Sequence, residues 1–255
     1  MKKVEAMTVV SQRTIANNIY ECSLKGDLVS VMNEPGQFVH LKVTDGIEPT
    51  LRRPISICSV DTNERTFTMV YRVEGIGTKK LSHKLPGERV NVLGPLGHGF
   101  PMEELKSESH CLLVGGGIGV PPLYELAKQL TSKGHSVTAV LGFRSKEDVF
   151  YEREFSRLGP TFVATEDGSY GEMGFVTDVI GAKQLTGDCY YACGPRPMLK
   201  AIESNMPIPG FLSLEERMGC GIGACLACVC DMKNEAGYRK VCSDGPVFKA
   251  GEVVV

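Results

Sequence analysis

Half of the cysteines of the chain lie in one short stretch near its C-terminal end. The sequence holds ten cysteines among 255 residues, and five of them fall between residues 220 and 242. Four have the spacing C-x4-C-x2-C, followed after thirteen residues by one more cysteine; they are Cys220, Cys225, Cys228 and Cys242. Because thiolates are preferred ligands of zinc and of iron–sulfur clusters, this stretch predicts a metal centre.

The spacing of these cysteines favours a [2Fe–2S] cluster of the plant type, with three ligands on one loop and a fourth that arrives from elsewhere. A zinc site with four cysteines usually pairs two C-x2-C turns, and only Cys225 and Cys228 form such a turn here, so zinc is the alternative. Cys230 could replace a neighbour as ligand, but we interpret it as a buried thiol beside the centre. Glycines surround the first ligand and let backbone N–H groups face the sulfur atoms; they are Gly219, Gly221 and Gly223.

Two glycine turns in the middle of the chain follow apolar strands. The first turn contains Gly115, Gly116, Gly117 and Gly119, and the second contains Cys193, Gly194 and Pro195. The first fits G-x-G-x-x-G only in part, so a tight strand-to-helix turn without a ligand is the alternative interpretation. Since the carboxyl ends of parallel strands share one edge of a sheet, the two turns together favour a nucleotide site.

The secondary-structure pattern divides the chain into three parts. Residues 1–102 contain β-rich runs such as 37–43 and 66–73 between turn residues, which predicts an antiparallel barrel. Residues 103–210 predict a doubly wound, Rossmann-like α/β domain. Its predicted strands are 110–114, 136–143, 161–165 and 189–193, and its predicted helices are 121–133, 148–158, 174–181 and 196–204. Residues 211–255 have few periodic apolar positions, and we expect the metal centre to organise them.

Composition excludes several classes of protein. With 42% hydrophobic residues and a net charge of −2, the chain is typical of a globular protein whose main partner is neither nucleic acid nor an anionic membrane. No apolar run approaches the ~20 residues that span a bilayer. The first residues lack the apolar stretch of a secretory signal, so we expect a cytoplasmic protein whose cysteines bind metal rather than form disulfides.

Two stretches of the sequence resemble a known family. Arg53-Pro54-Ile55-Ser56 resembles the R-x-[YF]-[ST] flavin motif of the ferredoxin–NADP⁺ reductase superfamily, with isoleucine where an aromatic residue is commoner. Residues 214–230, LEERMGCGIGACLACVC, resemble the electron-transfer subunits of the FAD- and iron–sulfur-containing (class 1B) dihydroorotate dehydrogenases. The resemblance covers essentially the whole chain.

This resemblance implies a flavin-binding β-barrel, an NAD-binding α/β domain and a C-terminal iron–sulfur segment. It implies FAD, NAD and a [2Fe–2S] cluster as cofactors. The residues it assigns to FAD are Arg53, Pro54, Ile55, Ser56, Val70, Tyr71, Arg72, Gly77 and Thr78. It favours NAD over NADP, although Arg144 and Lys146 after a predicted strand could accommodate a 2′-phosphate.

The resemblance further implies a partner, an FMN-containing dihydroorotate dehydrogenase catalytic subunit, in a heterotetramer with two copies of each chain. Electrons from dihydroorotate would pass through FMN, the cluster and FAD to NAD⁺, in the biosynthesis of the pyrimidine nucleotide UMP. One alternative is the reductase subunit of a related flavin and iron–sulfur complex that serves ferredoxin or a sulfur compound. The other is an α/β protein without enzymatic activity that carries structural zinc.

Overall fold

Six antiparallel strands close the N-terminal part of the chain into a barrel. The computed structural model describes residues 2–44 and 46–255. Around the barrel the strands follow the order β1-β2-β5-β4-β3-β6. Their bounds are β1 (Lys3–Ala16), β2 (Ile19–Lys25), β3 (Phe38–Lys42), β4 (Arg53–Asp61), β5 (Thr66–Arg72) and β6 (Arg89–Leu96), with a short helix, α1 (Ile76–Ser82), between β5 and β6.

The barrel encloses an apolar interior, and in some of its strands buried and accessible side chains alternate. In β6 every second residue is buried, beginning with Val90. The interior is filled by apolar side chains from several strands; they include Met7, Leu24, Leu41, Phe67 and Val92. The predicted strands at 37–43 and 66–73 correspond to β3 and β5, whereas α1 is a helix that the sequence analysis does not anticipate.

A seven-stranded sheet with the order β10-β9-β8-β7-β11-β12-β15 forms the second half of the molecule. Its elements are β7 (His110–Gly116), α2 (Pro121–Ser132), β8 (Ser136–Phe143), α3 (Glu152–Ser156), β9 (Thr161–Thr165), β10 (Glu172–Met173), α4 (Val176–Ala182), β11 (Cys189–Cys193), α5 (Arg196–Asn205), β12 (Gly210–Ser213) and β15 (Val247–Lys249). All neighbours pair in parallel except β12 and β15. The order reverses between β7 and β11, and in doubly wound sheets ligands bind at such a reversal.

The predicted strands and helices of this domain match the observed elements closely. Helix α3 is shorter than the predicted helix over 148–158. A 3₁₀ turn, Lys146–Asp148, ends at the first predicted residue, and the left-handed backbone of Tyr151 delays the start of the helix to Glu152. The longest of these helices, α2, has twelve residues. Along the described chain, no helix has both the length and the apolar character needed to cross a membrane.

The C-terminal segment is built into the same sheet. Strand β12 lies parallel to β11, β15 pairs with β12, and a hairpin of β13 (Val229–Asp231) and β14 (Tyr238–Lys240) lies between them in sequence. Apolar side chains of the segment join the core of the α/β domain; they include Leu214, Val241, Phe248 and Val253. The segment therefore folds on a core that it shares, besides any contribution from a metal centre.

Helix α2 packs on barrel strand β4 and joins the two halves of the molecule. The carboxylate of Glu125 accepts the backbone N–H of Val60 at 2.9 Å. Close by, Nζ of Lys128 donates to Oγ of Ser59 at 2.8 Å. Because Glu125 is buried and also contacts Lys128 at 2.8 Å, this polar group fixes the orientation of helix and barrel.

Candidate cofactor sites

The four predicted ligand cysteines lie together as two pairs. The backbone N–H of Cys220 donates to Sγ of Cys225 at 3.4 Å, and that of Cys242 donates to Sγ of Cys228 at 3.4 Å. Within residues 2–44 and 46–255, no three histidine, cysteine or acidic side chains converge so that they could hold a metal ion. A [2Fe–2S] cluster with four cysteine ligands takes two thiolates on each iron, so two separate pairs fit the chemistry of a two-iron centre.

Backbone N–H groups of the glycine-rich loop face the sulfur atoms, as the spacing of the glycines predicts. The N–H groups of Ile222 and Ala224 donate to Sγ of Cys220 at 3.4 and 3.3 Å, and the N–H of Gly223 donates to Sγ of Cys242 at 3.1 Å. Gly221 and Gly223 have φ values of +72° and +87° that allow this turn. Such donors stabilise the negative charge of thiolate ligands.

The thiols of the loop differ in acidity. Burial opposes ionisation of Cys220, yet the hydrogen bonds from Ile222, Cys225 and Ala224 together lower the pKa of Cys220 to about 6. Burial, followed by the neighbouring thiol of Cys228, raises the pKa of Cys242 to about 12. Cluster binding therefore has to remove a proton from Cys242 that the free thiol retains at neutral pH.

Cys230 lies apart from the two pairs. Its side chain is buried, and its thiol donates to the carbonyl of Arg239 across the β13–β14 hairpin at 3.7 Å. Burial raises the pKa of Cys230, so this thiol has the character of a core side chain. These contacts agree with its interpretation as a buried thiol beside the centre.

The cysteine loop rests on the barrel. A Cβ atom at Gly221 would collide with the imidazole of His40 in β3. A Cβ at Gly97, just after β6, would collide with the main chain of Gly245 and with Pro246, and the N–H of His98 donates to the carbonyl of Gly245 at 2.7 Å. The metal segment and the predicted flavin-binding barrel are therefore in direct contact.

A cleft of about 570 Å³ opens at the carboxyl ends of β7, β8 and β11. Both predicted glycine turns contribute to its wall, through Gly116, Gly117, Gly119, Gly194 and Pro195. The two turns also pack on each other, because a Cβ at Gly119 would collide with the carbonyl of Cys193. The cleft has the position and the exposed backbone that a dinucleotide needs.

Two other residues of the predicted nucleotide site are buried beneath the cleft. Cys193 lies in the core, and burial raises the pKa of its thiol. At Gly115 a Cβ would contact Cγ2 of Val120 at 2.8 Å, so this glycine allows close packing of the strand and the turn before α2. Both residues shape the turns and do not line the cleft.

Several residues of the cleft are absent from the predicted site. They include Phe143, Asp148, Glu166, Phe175, Thr177 and Met198. Glu215, which the family resemblance suggests lies near the flavin or the nucleotide, also lines the cleft. For Glu166 the sequence held a usable signal, since it directly follows β9 at the same edge of the sheet. For Met198 and Phe175 only the folded arrangement of α5 and of the segment before α4 brings the side chain to the cleft.

The flavin motif lies at the start of β4, where the side chains of Arg53, Pro54, Ile55 and Ser56 are half-buried. The guanidinium of Arg53 donates to the carbonyls of Leu51 and Arg52 at 2.6 and 3.2 Å. A Cβ at Gly77 would collide with this guanidinium, so the structure brings the two predicted residues together. No carboxylate in the described chain pairs with Arg53, and its charge is thus available to an anionic group such as a pyrophosphate.

The other predicted flavin residues occupy different places. Oγ1 of Thr78 accepts the N–H groups of Glu74 and Gly75 at 3.1 and 3.3 Å and so caps α1. Val70 is buried in the core between the barrel and the α/β domain. Tyr71 lies inside the barrel, where its hydroxyl donates to Oε1 of Gln12 at 3.0 Å, so any contact with a flavin would use its main chain.

Arg72 links the barrel to the nucleotide cleft. Its side chain lines the cleft, and a Cβ at Gly117 would lie in ordinary contact with its Nη2 at 3.6 Å. Glu74 lies 3.6 Å from Nη1 of the same guanidinium. An arginine at this boundary can neutralise a diphosphate bound on either side.

A barrel with a flavin motif, a parallel sheet with a dinucleotide cleft and a two-pair cysteine loop define a flavin- and iron–sulfur-dependent oxidoreductase of pyridine nucleotides. Residues 215–254 match the family described as the iron-sulfur cluster binding domain of dihydroorotate dehydrogenase B, and residues 113–204 match the oxidoreductase NAD-binding domain. The chain belongs to the family of dihydroorotate dehydrogenase B electron transfer subunits.

Relatives of this family match the chain over its whole length. One relative, from Geobacillus sp. (strain WCH70), is named dihydroorotate dehydrogenase B (NAD(+)), electron transfer subunit. It is 62% identical, and the match covers 100% of both chains. The subunit of the same name from Geobacillus thermodenitrificans (strain NG80-2) is 59% identical, with 98% of each chain covered. The resemblance inferred from the sequence is confirmed.

Solved structures confirm the predicted fold class. A chain from the NADH-dependent reduced ferredoxin-NADP oxidoreductase, solved for insight into flavin-based electron bifurcation, has a TM-score of 0.86 and 30% identity, covering 98% of this chain and 90% of its own. The Amycolatopsis cytochrome P450 reductase GcoB shares the fold at a TM-score of 0.67 and 21% identity, over 78% of this chain and 64% of its own. Together with the family matches, these findings support the predicted cofactors FAD, NAD and an iron–sulfur cluster.

Proposed function

We propose that this chain transfers electrons from the FMN of a dihydroorotate-oxidising catalytic subunit to NAD⁺, in the biosynthesis of pyrimidine nucleotides. One observation carries the proposal: a single barrel contacts the cysteine loop through His40 and the dinucleotide cleft through Arg72. The sequence identity to relatives named as electron transfer subunits extends over the whole chain. The chain is thus an oxidoreductase subunit that needs its partner for dihydroorotate oxidation.

Each part of the chain has its own task in this proposal. Residues 1–102 bind FAD, residues 103–210 bind NAD and residues 211–255 hold the cluster. Bound FAD supplies the exchange between the two electrons of a hydride and the single electrons of a [2Fe–2S] cluster. Arg53 and Arg72 bring positive charge to the phosphates, and the glycine turns let the nucleotide approach the backbone.

The catalytic subunit binds, in our proposal, at the surface around the cysteine loop. Apolar side chains are exposed there: Ile222 is 45% exposed and Leu226 is 48% exposed, with Val229 beside them. An exposed apolar patch beside a redox centre fits a partner that must bring its own flavin close to the cluster. We propose two copies of each subunit, in the cytoplasm, where reducing conditions keep the ligand thiols free.

The cleft carries groups that bear on the choice between NAD and NADP. Arg144 and Glu166 both line it, at the ends of neighbouring strands β8 and β9. An acidic side chain at this edge accepts hydrogen bonds from the ribose hydroxyls of NAD and repels the 2′-phosphate of NADP. We therefore propose NAD as the nucleotide, with initial rates that are higher with NADH than with NADPH.

A second candidate function is a reductase subunit that serves ferredoxin. It is supported by the 30% identity to the chain from the ferredoxin-NADP oxidoreductase. The 62% identity to the Geobacillus subunit favours the first function. The two differ in the partner, so co-purification with a dihydroorotate-oxidising chain distinguishes them.

The test is the visible absorption spectrum of the anaerobically purified chain, before and after NADH is added. We expect flavin bands with a broad iron–sulfur shoulder, both bleached by NADH, and no oxidation of dihydroorotate unless the catalytic subunit is added. A colourless protein that contains zinc would refute the proposal and support structural zinc. Oxidation of dihydroorotate by the single chain would refute the assignment as a subunit.

A further inference from the structure

His40, through which the barrel contacts the cysteine loop, is a buried side chain whose ring nitrogens have no role in the functions above. It lies in β3, its side chain is 0% exposed, and neither ring nitrogen has a hydrogen-bond partner within residues 2–44 and 46–255. Leaving a buried polar group unpaired costs about 1–3 kcal/mol, so its retention inside the protein calls for a compensating role.

The imidazole lies between the flavin motif and the cysteine loop. Across the barrel sheet, His40 pairs with Pro54 of the flavin motif, and its carbonyl accepts Nη1 of Arg52 at 3.0 Å. On the other side, the ring occupies the space that a Cβ at Gly221 would need, with Nδ1 nearest to it. A glycine with φ of +72° lets the loop main chain lie directly on the ring.

The surroundings of the ring also include the first cluster ligand. Gly221, whose main chain lies against the ring, directly follows Cys220 in the chain. A neutral imidazole has one N–H to donate, and backbone carbonyls are common acceptors for it. The ring can therefore connect the main chain beside the flavin motif to the main chain of the cysteine loop.

We propose that His40 is a positioning residue of the iron–sulfur centre: its Nδ1, which is unpaired within the described part of the chain, donates an N–H to the main chain of the cysteine loop beside Gly221 when the cluster is bound, and holds that loop on the flavin strand pair. The proposal rests on the cluster ligands proposed above. Groups that orient a metal ligand from outside the coordination sphere typically change metal affinity 10- to 100-fold when removed.

The test uses the whole chain with its FAD and cluster assembled under anaerobic conditions. His40→Phe keeps the ring volume and removes both nitrogens, whereas His40→Asn keeps an N–H donor near the position of Nδ1. We expect H40F to shift the electron paramagnetic resonance spectrum of the reduced cluster and to release iron to a chelator at least about tenfold faster. We expect H40N to restore most of the wild-type spectrum and release rate.

Leu41→Val is the matched control, because Leu41 is the next residue of β3 and packs inside the barrel core. It loosens the same strand without removing a polar group, and we expect a wild-type cluster spectrum. Equal effects of H40F and L41V, or an H40N protein no better than H40F, would overturn the proposal. An H40F protein with the wild-type spectrum and release rate would also overturn the proposal. A wild-type chain that binds no cluster would instead refute the proposed function.

A measurement on the unaltered protein covers the case in which H40F does not fold. The chain has five histidines, so ¹⁵N-histidine labelling resolves each imidazole by nuclear magnetic resonance. We expect one neutral ring whose Nδ1–H is protected from solvent exchange and broadened when the cluster is reduced. Absence of a protected Nδ1–H among the five would contradict the proposal.

Discussion

At the scale of single residues, the hydrogen bonds of the sulfur atoms divide the five cysteines of the C-terminal segment into a group of four and Cys230. The sulfur atoms of four of them accept hydrogen bonds from backbone N–H groups, while the thiol of Cys230 donates to the carbonyl of Arg239. A thiolate ligand gains from N–H donors, whereas a buried thiol that donates to a carbonyl must keep its proton. The hydrogen-bond directions therefore support the prediction that Cys230 is a core cysteine, a point that the sequence spacing alone leaves open.

Serine substitutions at Cys225 and Cys230 test this distinction. We expect Cys225→Ser to lose most of the iron, since it breaks one of the two ligand pairs. We expect Cys230→Ser to retain about two irons per chain, because it alters only a buried side chain. Iron content and the visible spectrum after anaerobic reconstitution measure both. Loss of the cluster in C230S, with retention in C225S, would show that Cys230 is the ligand.

At the scale of elements, the joint between α2 and β4 depends on a small buried polar group. Glu125 accepts the N–H of Val60, contacts Lys128 and accepts Nε2 of Gln129 at 3.1 Å. The first of these bonds gives the backbone N–H of Val60 an acceptor where the helix covers strand β4. Their loss would leave donors buried without acceptors, which costs more than the bonds themselves contribute.

Glu125→Ala measures the strength of this joint. We expect the free energy of unfolding to fall by about 1–3 kcal/mol, because the N–H of Val60 loses its acceptor. The control is Glu172→Ala, which removes an exposed ion pair with Lys183 and should change stability by no more than about 0.5 kcal/mol. Urea denaturation of both variants gives the comparison. Equal losses in the two would mean that the buried carboxylate does not hold the domains together.

Elements with clear apolar patterns, including the five-residue strands β9 and β11, could be predicted from the sequence, whereas the three-residue strands could not. Strand β8 and helix α2 lie within one residue of their predicted bounds, because a strand with six buried residues out of eight and a regular amphipathic helix leave a clear pattern. Strand β15 has three residues and joins the sheet only through its pairing with β12. Such a strand is defined by a neighbour far away in sequence, which no local pattern records.

At the scale of the whole molecule, one barrel serves as the common support of two further regions. Its strand β3 meets the cysteine loop, and Arg72 at the end of β5 reaches the nucleotide cleft. The motifs for each region could be found in the sequence, since glycine and cysteine spacings are local. Their relative placement, and residues such as His40 and Glu125 that create it, could not, because those contacts join positions far apart along the chain.

The exposed apolar surface beside the cysteine loop gives a test of the partner at this scale. Leu226 has a φ of +56° and is 48% exposed, and aspartate tolerates that backbone conformation better than most residues. We expect Leu226→Asp to weaken binding to the catalytic subunit at least about tenfold, or about 1.4 kcal/mol, since it places a charge in an apolar contact. Titration of labelled catalytic subunit measures the affinity.

Ile47→Asp is the control, because Ile47 is 88% exposed on a barrel loop and should leave this affinity unchanged. The iron content and visible spectrum of L226D have to match those of the wild type, so that a weaker complex reflects the surface and not a lost cluster. If both variants bind the catalytic subunit like the wild type, the apolar patch around the cluster is not the contact surface. Electrons would then have to enter the chain by another face, and the route from the cysteine loop through the barrel to the nucleotide cleft would lose its starting point.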